Sequence, residues 1–179
     1  MCEHDQKGVT LWFTGLPCSG KSAIADRVAE ILKDRGYRVE RLDGDIVRQS
    51  LTRDLGFSRE DRNENIRRVT FVAKLLTRND VFVLTSFISP FRDIRAQARR
   101  EIGSFLEVYT KCPIDICIER DVKGMYKKAM AGQIKEFTGV SDPYEEPVDP
   151  EILLETGRET LEVCAAKVLA RMKELGYLD

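Results

Sequence analysis

The stretch Gly15-Leu16-Pro17-Cys18-Ser19-Gly20-Lys21-Ser22 has the residue types and spacing of a loop that wraps a phosphate group. Its glycines let the backbone curl until several N–H groups face one oxyanion, and a helix starting at its end adds a positive pole. Lys21 then reaches the β- and γ-phosphates, and the Ser22 hydroxyl ligates Mg2+. The chemistry implied is the binding and polarisation of Mg·ATP, with Gly15, Cys18, Ser19, Gly20, Lys21, Ser22 and Ala23 as nucleotide contacts. Cys18 has two readings: a thiol made redox-sensitive by a helix N-terminus, or simply a small residue tolerated in the loop.

A second group of chemistry-bearing residues begins at Asp43-Gly44-Asp45. In open α/β sheets ligands bind beyond the carboxyl ends of the strands, which brings both carboxylates beside the phosphate loop. The apolar run 81–87 passes through Thr85-Ser86 without the acid that usually supports the metal. Asp45 is therefore the candidate for aiding Mg2+ alongside Ser22 and for accepting a proton from an acceptor hydroxyl. Asp43 reads as half of a turn-forming Asp-Gly pair. Arg48, Arg62, Asn65, Arg67 and Arg68 follow, and guanidinium groups suit bidentate recognition of phosphate or sulfate. Arg62 and Asn65 lie one helical turn apart and can converge on one ligand. Arg67 and Arg68 either join them or sit on a solvated face with Glu60, Asp61 and Glu64.

The elements that must hold these groups alternate between strand and helix. Residues 9–14 are a β-prone run ending at Gly15, and Ile24, Val28, Ile31 and Leu32 recur at helical spacing until Gly36. Residues 37–42 alternate like a second strand. Ser58-Arg59-Glu60-Asp61 resembles a capping box, with Asp in place of Glu or Gln, and opens a helix whose stripe is Ile66, Val69, Val72, Ala73 and Leu76. The run 81–87 predicts a central parallel strand covered on both faces. A helix over about 91–102, a strand over 105–109 and a short helix begun by Pro113 come next. Residues 124–147, rich in Lys, Gly and acids, offer few core positions and read as a mobile excursion. Residues 152–154 fit a fifth strand, and Leu161, Ala165, Val168, Met172 and Leu175 a terminal amphipathic helix. This order predicts an α/β fold with a parallel sheet of about five strands flanked by helices, in one domain over 1–179.

At 42% hydrophobic and 33% charged, the 179 residues have an ordinary globular composition. A net charge of -1 argues against a nucleic-acid binder, so anions must be recognised by local clusters. Cys2, Cys18, Cys112, Cys117 and Cys164 make no C-x-x-C pair, and His4 is the only histidine, which leaves a zinc site little to draw on. Scattered thiols of this kind are expected to be reduced and intracellular. No apolar run is long enough to span a membrane, and residues 1–5 carry no basic region ahead of an apolar stretch. A cytoplasmic protein without a leader or membrane contact is the expectation.

Leu42-Asp43-Gly44-Asp45, Asp54-Leu55-Gly56-Phe57-Ser58, Glu64-Asn65-Ile66-Arg67-Arg68, Thr85-Ser86-Phe87-Ile88-Ser89-Pro90-Phe91-Arg92, Arg120-Asp121-Val122-Lys123-Gly124 and Phe137-Thr138-Gly139 occur in this order. With the phosphate loop they closely resemble the adenylylsulfate kinases, which phosphorylate the 3′-hydroxyl of adenosine 5′-phosphosulfate (APS) to give PAPS. The resemblance covers essentially the whole chain. It implies a P-loop NTPase fold with a lid over about 123–147, ATP and Mg2+ as cofactors, and APS as acceptor. It implies an APS pocket of Asp45, Ile46, Val47, Arg48, Phe57, Arg62, Asn65, Ile88, Ser89, Lys123, Glu136 and Phe137, with Lys21, Asp45 and Ser89 at the chemistry and Ser22 and Asp45 at the metal. A homodimer and a functional association with ATP sulfurylase are further implications. The residues themselves agree: cationic groups for the phosphosulfate (Arg48, Arg62), aromatic faces for adenine (Phe57, Phe137) and a base for the 3′-hydroxyl (Asp45). Three places depart from the usual pattern: the loop reads Leu16-Pro17-Cys18-Ser19 where small Ser, Gly or Ala residues are common, and two single positions differ. Ile46 replaces a common Asn, and Glu136 puts an acid where Gly is usual.

Ser89 has two readings, a covalent phosphoserine or a hydrogen bond to the acceptor. No histidine besides His4 exists to activate it, which favours direct in-line transfer. The alternative activity is another small-molecule P-loop kinase, for a nucleoside monophosphate, shikimate or gluconate. The Phe-Ile-Ser-Pro and Asp-Leu-Gly-Phe blocks speak against it. A GTPase-like switch lacks its Asn-Lys-x-Asp sequence, and a degenerate scaffold is at odds with intact Lys21, Ser22 and Asp45.

Overall fold

Five strands, β1 (Val9–Thr14), β2 (Val39–Asp43), β3 (Phe82–Ser86), β4 (Phe105–Lys111) and β5 (Ile152–Glu155), pair in parallel in the order β2-β3-β1-β4-β5. The computed structural model describes residues 6–179; Cys2, His4 and the leader expectation lie outside the described residues. The helices are α1 (Lys21–Asp34), α2 (Gly44–Val47), α3 (Arg59–Thr77), α4 (Arg92–Ile102), α5 (Ile114–Arg120), α6 (Met125–Met130) and α7 (Leu161–Glu174). Among the described residues no helix is long and apolar enough to cross a membrane.

Alternation along the strands divides the core into two layers. Val9, Leu11 and Phe13 of β1, Phe82 and Leu84 of β3, and Leu106 and Val108 of β4 pack with α1 and α7. Trp12 and Phe105 point the other way, into a cluster with Ile66 and Val69 of α3 and Ile94 and Ala98 of α4. The run 81–87 is expected at the centre of the sheet, but β1 holds that place and β3 lies beside it. A near-continuous apolar strand shows that both faces are covered, not which strand is in the middle.

Local chemistry sets the element ends where the sequence reading places them. The Ser58 hydroxyl accepts from the Asp61 N–H (3.1 Å) and caps α3, while Pro113 precedes α5 and Gly36 follows α1. The short helix α2 is absent from the sequence reading, because a single turn carries no periodicity.

The excursion 124–147 is corrected in one respect: it has core residues. Tyr126 on α6 is fully buried, and with Ala129 and Phe137 it joins Cys112 and Cys117 in a third cluster, against which Leu16 and Cys18 of the phosphate loop pack. The Tyr126 hydroxyl donates to the Pro17 carbonyl (3.1 Å), and its ring meets Phe137 edge-on at 5.0 Å. Its few apolar residues are spread among lysines, so no stripe announces them. Tyr126→Ala is expected to lower stability by about 3 kcal/mol or more in a urea melt. Tyr126→Phe, which removes only the Pro17 bond, should cost about 1 kcal/mol.

Candidate active site

The turn from β1 into α1 carries the phosphate loop. Gly15 has φ 150, and a β-carbon there would lie 2.4 Å from Thr110 Oγ1 and 2.6 Å from the Thr110 carbonyl oxygen. Gly20, at φ 96, caps α1 in the left-handed region. Thr110 seats the loop on β4: its hydroxyl donates to the Thr14 carbonyl (2.9 Å) and bonds the buried Ser19 hydroxyl (2.8 Å). Cys18, at φ 61, is half-buried beside the third cluster, and Ala23 is exposed on the first turn of α1. The four described cysteines are free thiols; burial pushes Cys117 up to about 12.

Lys21 is buried, and its ammonium donates to the carbonyls of Gly15 (3.0 Å) and Leu16 (2.6 Å). Burial pushes it down to about 8, partly offset by neighbouring thiols and by Asp43 and Asp45. Ser22 Oγ donates to Asp43 Oδ2 (2.6 Å), which turns its lone pairs away from the carboxylate, the orientation a cation ligand needs. Ser86, in register with Asp43, has a buried hydroxyl with no hydrogen-bond partner. A hydrated cation held at Ser22 fits this donor set, and its waters can satisfy such a group.

The two aspartates of the Asp-Gly-Asp turn have different neighbours. Asp43, read as a turn residue, does turn the chain: Oδ1 accepts from the Asp45 N–H (3.0 Å) and caps α2. Its other oxygen is the one against Ser22. Arg41 lies 3.7 Å from Asp43 Oδ2, steadied by Asp26 Oδ1 (2.8 Å) and the Leu84 carbonyl (2.7 Å). The Asp45 side chain is 69% exposed and pairs with Lys123. The register of β2 against β3 sets Asp43 opposite Ser86, with its Oδ2 against Ser22, and spacing alone cannot reveal register.

The acceptor-side residues converge in part. Arg48 donates to the carbonyls of Leu55 (3.2 Å) and Gly56 (3.1 Å) and lies 4.4 Å over the exposed Phe57 ring. Arg62 bridges two segments: it donates to the carbonyls of Phe57 (2.7 Å) and Glu136 and to Thr138 Oγ1 (3.0 Å), and pairs with Asp142 (3.0 Å). Asn65 is buried with an unpartnered Oδ1. Ile46 is exposed, and Glu136 sits at φ 55 beside Phe137. Ile88 is half-buried and gives its carbonyl to Thr14 Oγ1 (2.7 Å). A cleft of about 450 Å³ opens beside Leu16, bounded by Gly139, Asp142, Pro143 and Tyr144.

Three residues named from the sequence turn their side chains inward. Val47 joins the Trp12 cluster. Phe137, 9% exposed, packs on Tyr126 and leaves Phe57 as the open aromatic. Ser89 is 2% exposed; its hydroxyl accepts from Trp12 Nε1 (3.0 Å) and donates to Thr14 Oγ1 (3.2 Å). A hydroxyl so engaged presents neither a nucleophile nor a donor to solvent. Arg68 takes the solvated reading, bonded to Asp54 (2.7 Å) and Glu64 (3.0 Å), and Arg67 lies near Glu64 (3.6 Å). Thr110, Arg41 and Tyr144, which contact Ser19, Asp43 and Thr14, belong to no motif and carry no signal in the sequence.

A family model described as adenylylsulphate kinase matches residues 7–155. The chain is 58% identical over 176 residues to the adenylyl-sulfate kinase of Halothermothrix orenii, covering 98% of this chain and 95% of that one. With the adenylyl-sulfate kinase of Rippkaea orientalis it shares 57% over 173 residues, covering 97% and 96%. Its structure is similar to that of the Mycobacterium tuberculosis APS kinase in complex with AMPPNP and APS, with a TM-score of 0.91 at 41% identity over 94% of this chain and 99% of that one. A gluconokinase from Sinorhizobium meliloti 1021 gives a TM-score of 0.62 at 14% identity, a likeness of fold alone.

Proposed function

The chain belongs to the adenylylsulphate kinase family, and from that premise we propose how its residues divide the work of making PAPS and ADP from APS and ATP. The reading rests on two unlike groups beyond the carboxyl ends of the strands: a phosphate loop with a buried lysine after β1, and after β2 an arginine pair, Arg48 and Arg62, beside the open Phe57 ring.

Lys21 leaves the carbonyls of Gly15 and Leu16 for the β- and γ-phosphates, and the loop N–H groups hold the same oxygens. Ser22, oriented by Asp43, is the residue that would hold Mg2+. When bound, the ion neutralises charge on the phosphate oxygens and orients the transferred group. Arg48 and Arg62 face the phosphosulfate, and Phe57 takes the adenine on its open face. Asp45, released from Lys123, accepts the 3′-hydroxyl proton as the γ-phosphorus is attacked in line. The segment 123–147 is the lid: Lys123 and Asp142, paired with Asp45 and Arg62 before substrates bind, give up those partners as it closes over the nucleotides, and closure excludes the water that competes as acceptor. The inward Ser89 hydroxyl favours a single direct displacement.

The test is ADP release with APS, AMP, CMP, shikimate and gluconate as acceptors, with PAPS identified by chromatography. Rapid turnover on APS alone is expected; a gluconate or AMP preference would sink the reading. Phe57→Ala should raise the KM for APS about tenfold or more, on the scale of base–aromatic stacking, with the KM for ATP unchanged.

A further inference from the structure

The turn at Ile88 and Ser89 is held by a side chain that none of the steps above uses. Arg95, on α4, is 3% exposed, and its guanidinium gives each edge to a different partner. Nε donates to Glu107 Oε1 on β4 (2.7 Å), one terminal nitrogen to the Ser89 carbonyl (2.6 Å), and the other to the Glu145 carbonyl (2.7 Å). The segment around Glu145 is pinned again nearby. Its N–H donates to the Pro90 carbonyl (2.8 Å), its carboxylate accepts from the Arg92 N–H (2.7 Å), and Arg92 Nε donates to the Glu146 carbonyl (2.6 Å). Tyr144 then bonds the hydroxyl of Thr14 (2.9 Å), the residue before Gly15, and Thr14 holds the Ile88 carbonyl. Ser89 stands at φ 39, a left-handed conformation that costs a residue with a β-carbon and persists only where its surroundings over-determine it.

We propose that Arg95 is a positioning residue for phosphoryl transfer: it locks the turn 88–90 and the strap 144–146 into one seat fastened to the end of β1, so that the acceptor meets the phosphate loop at a set distance. The inference rests on the reading that this turn backs the APS site. All three edges of the Arg95 guanidinium are taken by protein acceptors, so it acts through the backbone it holds. Three acceptors in different directions require the planar fork of a guanidinium; an ammonium is a point charge that can keep the Glu107 pair but not both carbonyls. Displacements of about 1 Å in such a seat cost up to about a hundredfold in rate. Glu107 supplies the buried counter-charge and contacts neither the turn nor the strap through Arg95's other two edges. It therefore separates stability from positioning.

The experiment compares Arg95→Lys with Glu107→Gln in the full chain. Arg95→Lys should lower kcat about tenfold or more and raise the KM for APS about tenfold, while the KM for ATP stays within about twofold. In the same variant the Glu145 amide should exchange with deuterium about tenfold faster, with sheet amides unchanged. Glu107→Gln keeps an acceptor for Nε and both carbonyl contacts, so it should melt earlier yet keep the APS KM within about twofold. Wild-type KM and exchange in Arg95→Lys would overturn the proposal. So would a Glu107→Gln variant with the same kinetic change, because the effect would then be one of stability. Failure of the wild-type chain to form PAPS would sink the functional reading instead, while the exchange measurement, made without substrate, judges the seat by itself.

Discussion

Lys21→Ala is expected to lower PAPS formation by a factor on the order of 10²–10³, the scale for removing one charge-stabilising donor from a transferring group. The loss should fall on kcat more than on nucleotide affinity, because the loop N–H groups still hold the phosphates and Ser22 would still hold the ion. A second signature comes from the burial that pushes this ammonium down to about 8, against an ordinary value of 10.5. The sign follows from linkage: a lysine whose folded pKa is depressed binds fewer protons folded than unfolded between those values. Its charge therefore opposes folding below about pH 8, and that opposition is relieved as pH rises toward 10.5. Phosphate oxygens arriving at the ammonium favour its charged form, so ATP binding at pH 8 should take up a fraction of a proton. Calorimetry in two buffers of different ionisation enthalpy reads this uptake, and Lys21→Met should abolish it. Equal enthalpies for the unsubstituted chain would show that Lys21 is fully charged before the nucleotide arrives.

The second large effect separates the two aspartates. Asp45→Asn should lower kcat by about 10²–10⁴, the range for a positioned general base, with ATP affinity unchanged and free Mg2+ dependence unchanged. Asp43→Asn should lower kcat on the order of tenfold to a hundredfold and shift the Mg2+ titration to higher concentration, because Ser22 loses the acceptor that orients its hydroxyl. The discriminating measurement is activity against free Mg2+ at saturating nucleotide. If Asp45→Asn moved that curve and Asp43→Asn did not, the roles assigned here would be exchanged.

Much of this was legible in the residues. The phosphate loop, the five strands, the cap at Ser58 and the arginine cluster all follow from local signals whose physics is contained within a few positions. What stayed hidden depends on which strand lies beside which. Asp43 reaches Ser22 because β2 pairs with β3 in a register that ends at Ser86, and no spacing in the chain encodes that pairing. Ser89 looks outward in sequence, after an apolar strand and before proline, yet Trp12 of a neighbouring strand claims its hydroxyl. Phe137 and Tyr126 look like isolated aromatics in a polar stretch until Cys112 and Cys117 supply the other half of their core.

The ion pairs across this face carry a consequence for how substrates would enter it. Arg62 already holds Asp142, Lys123 holds Asp45, and Lys21 rests on two carbonyl oxygens. The face is thus an ion exchanger with its sites loaded, not a bare cationic funnel. On the proposed reading, an oxyanion arriving at Arg62 or Lys123 trades places with a tethered carboxylate, and one arriving at Lys21 with two carbonyl oxygens, so the gain is a difference between two attractions. Binding should then respond less to ionic strength than the number of cations suggests, since added salt weakens the resident pair and its replacement together. An acceptor must also match several exchanges at once to be held. A simple sulfate or phosphate, able to make one trade, gains little from a site built this way.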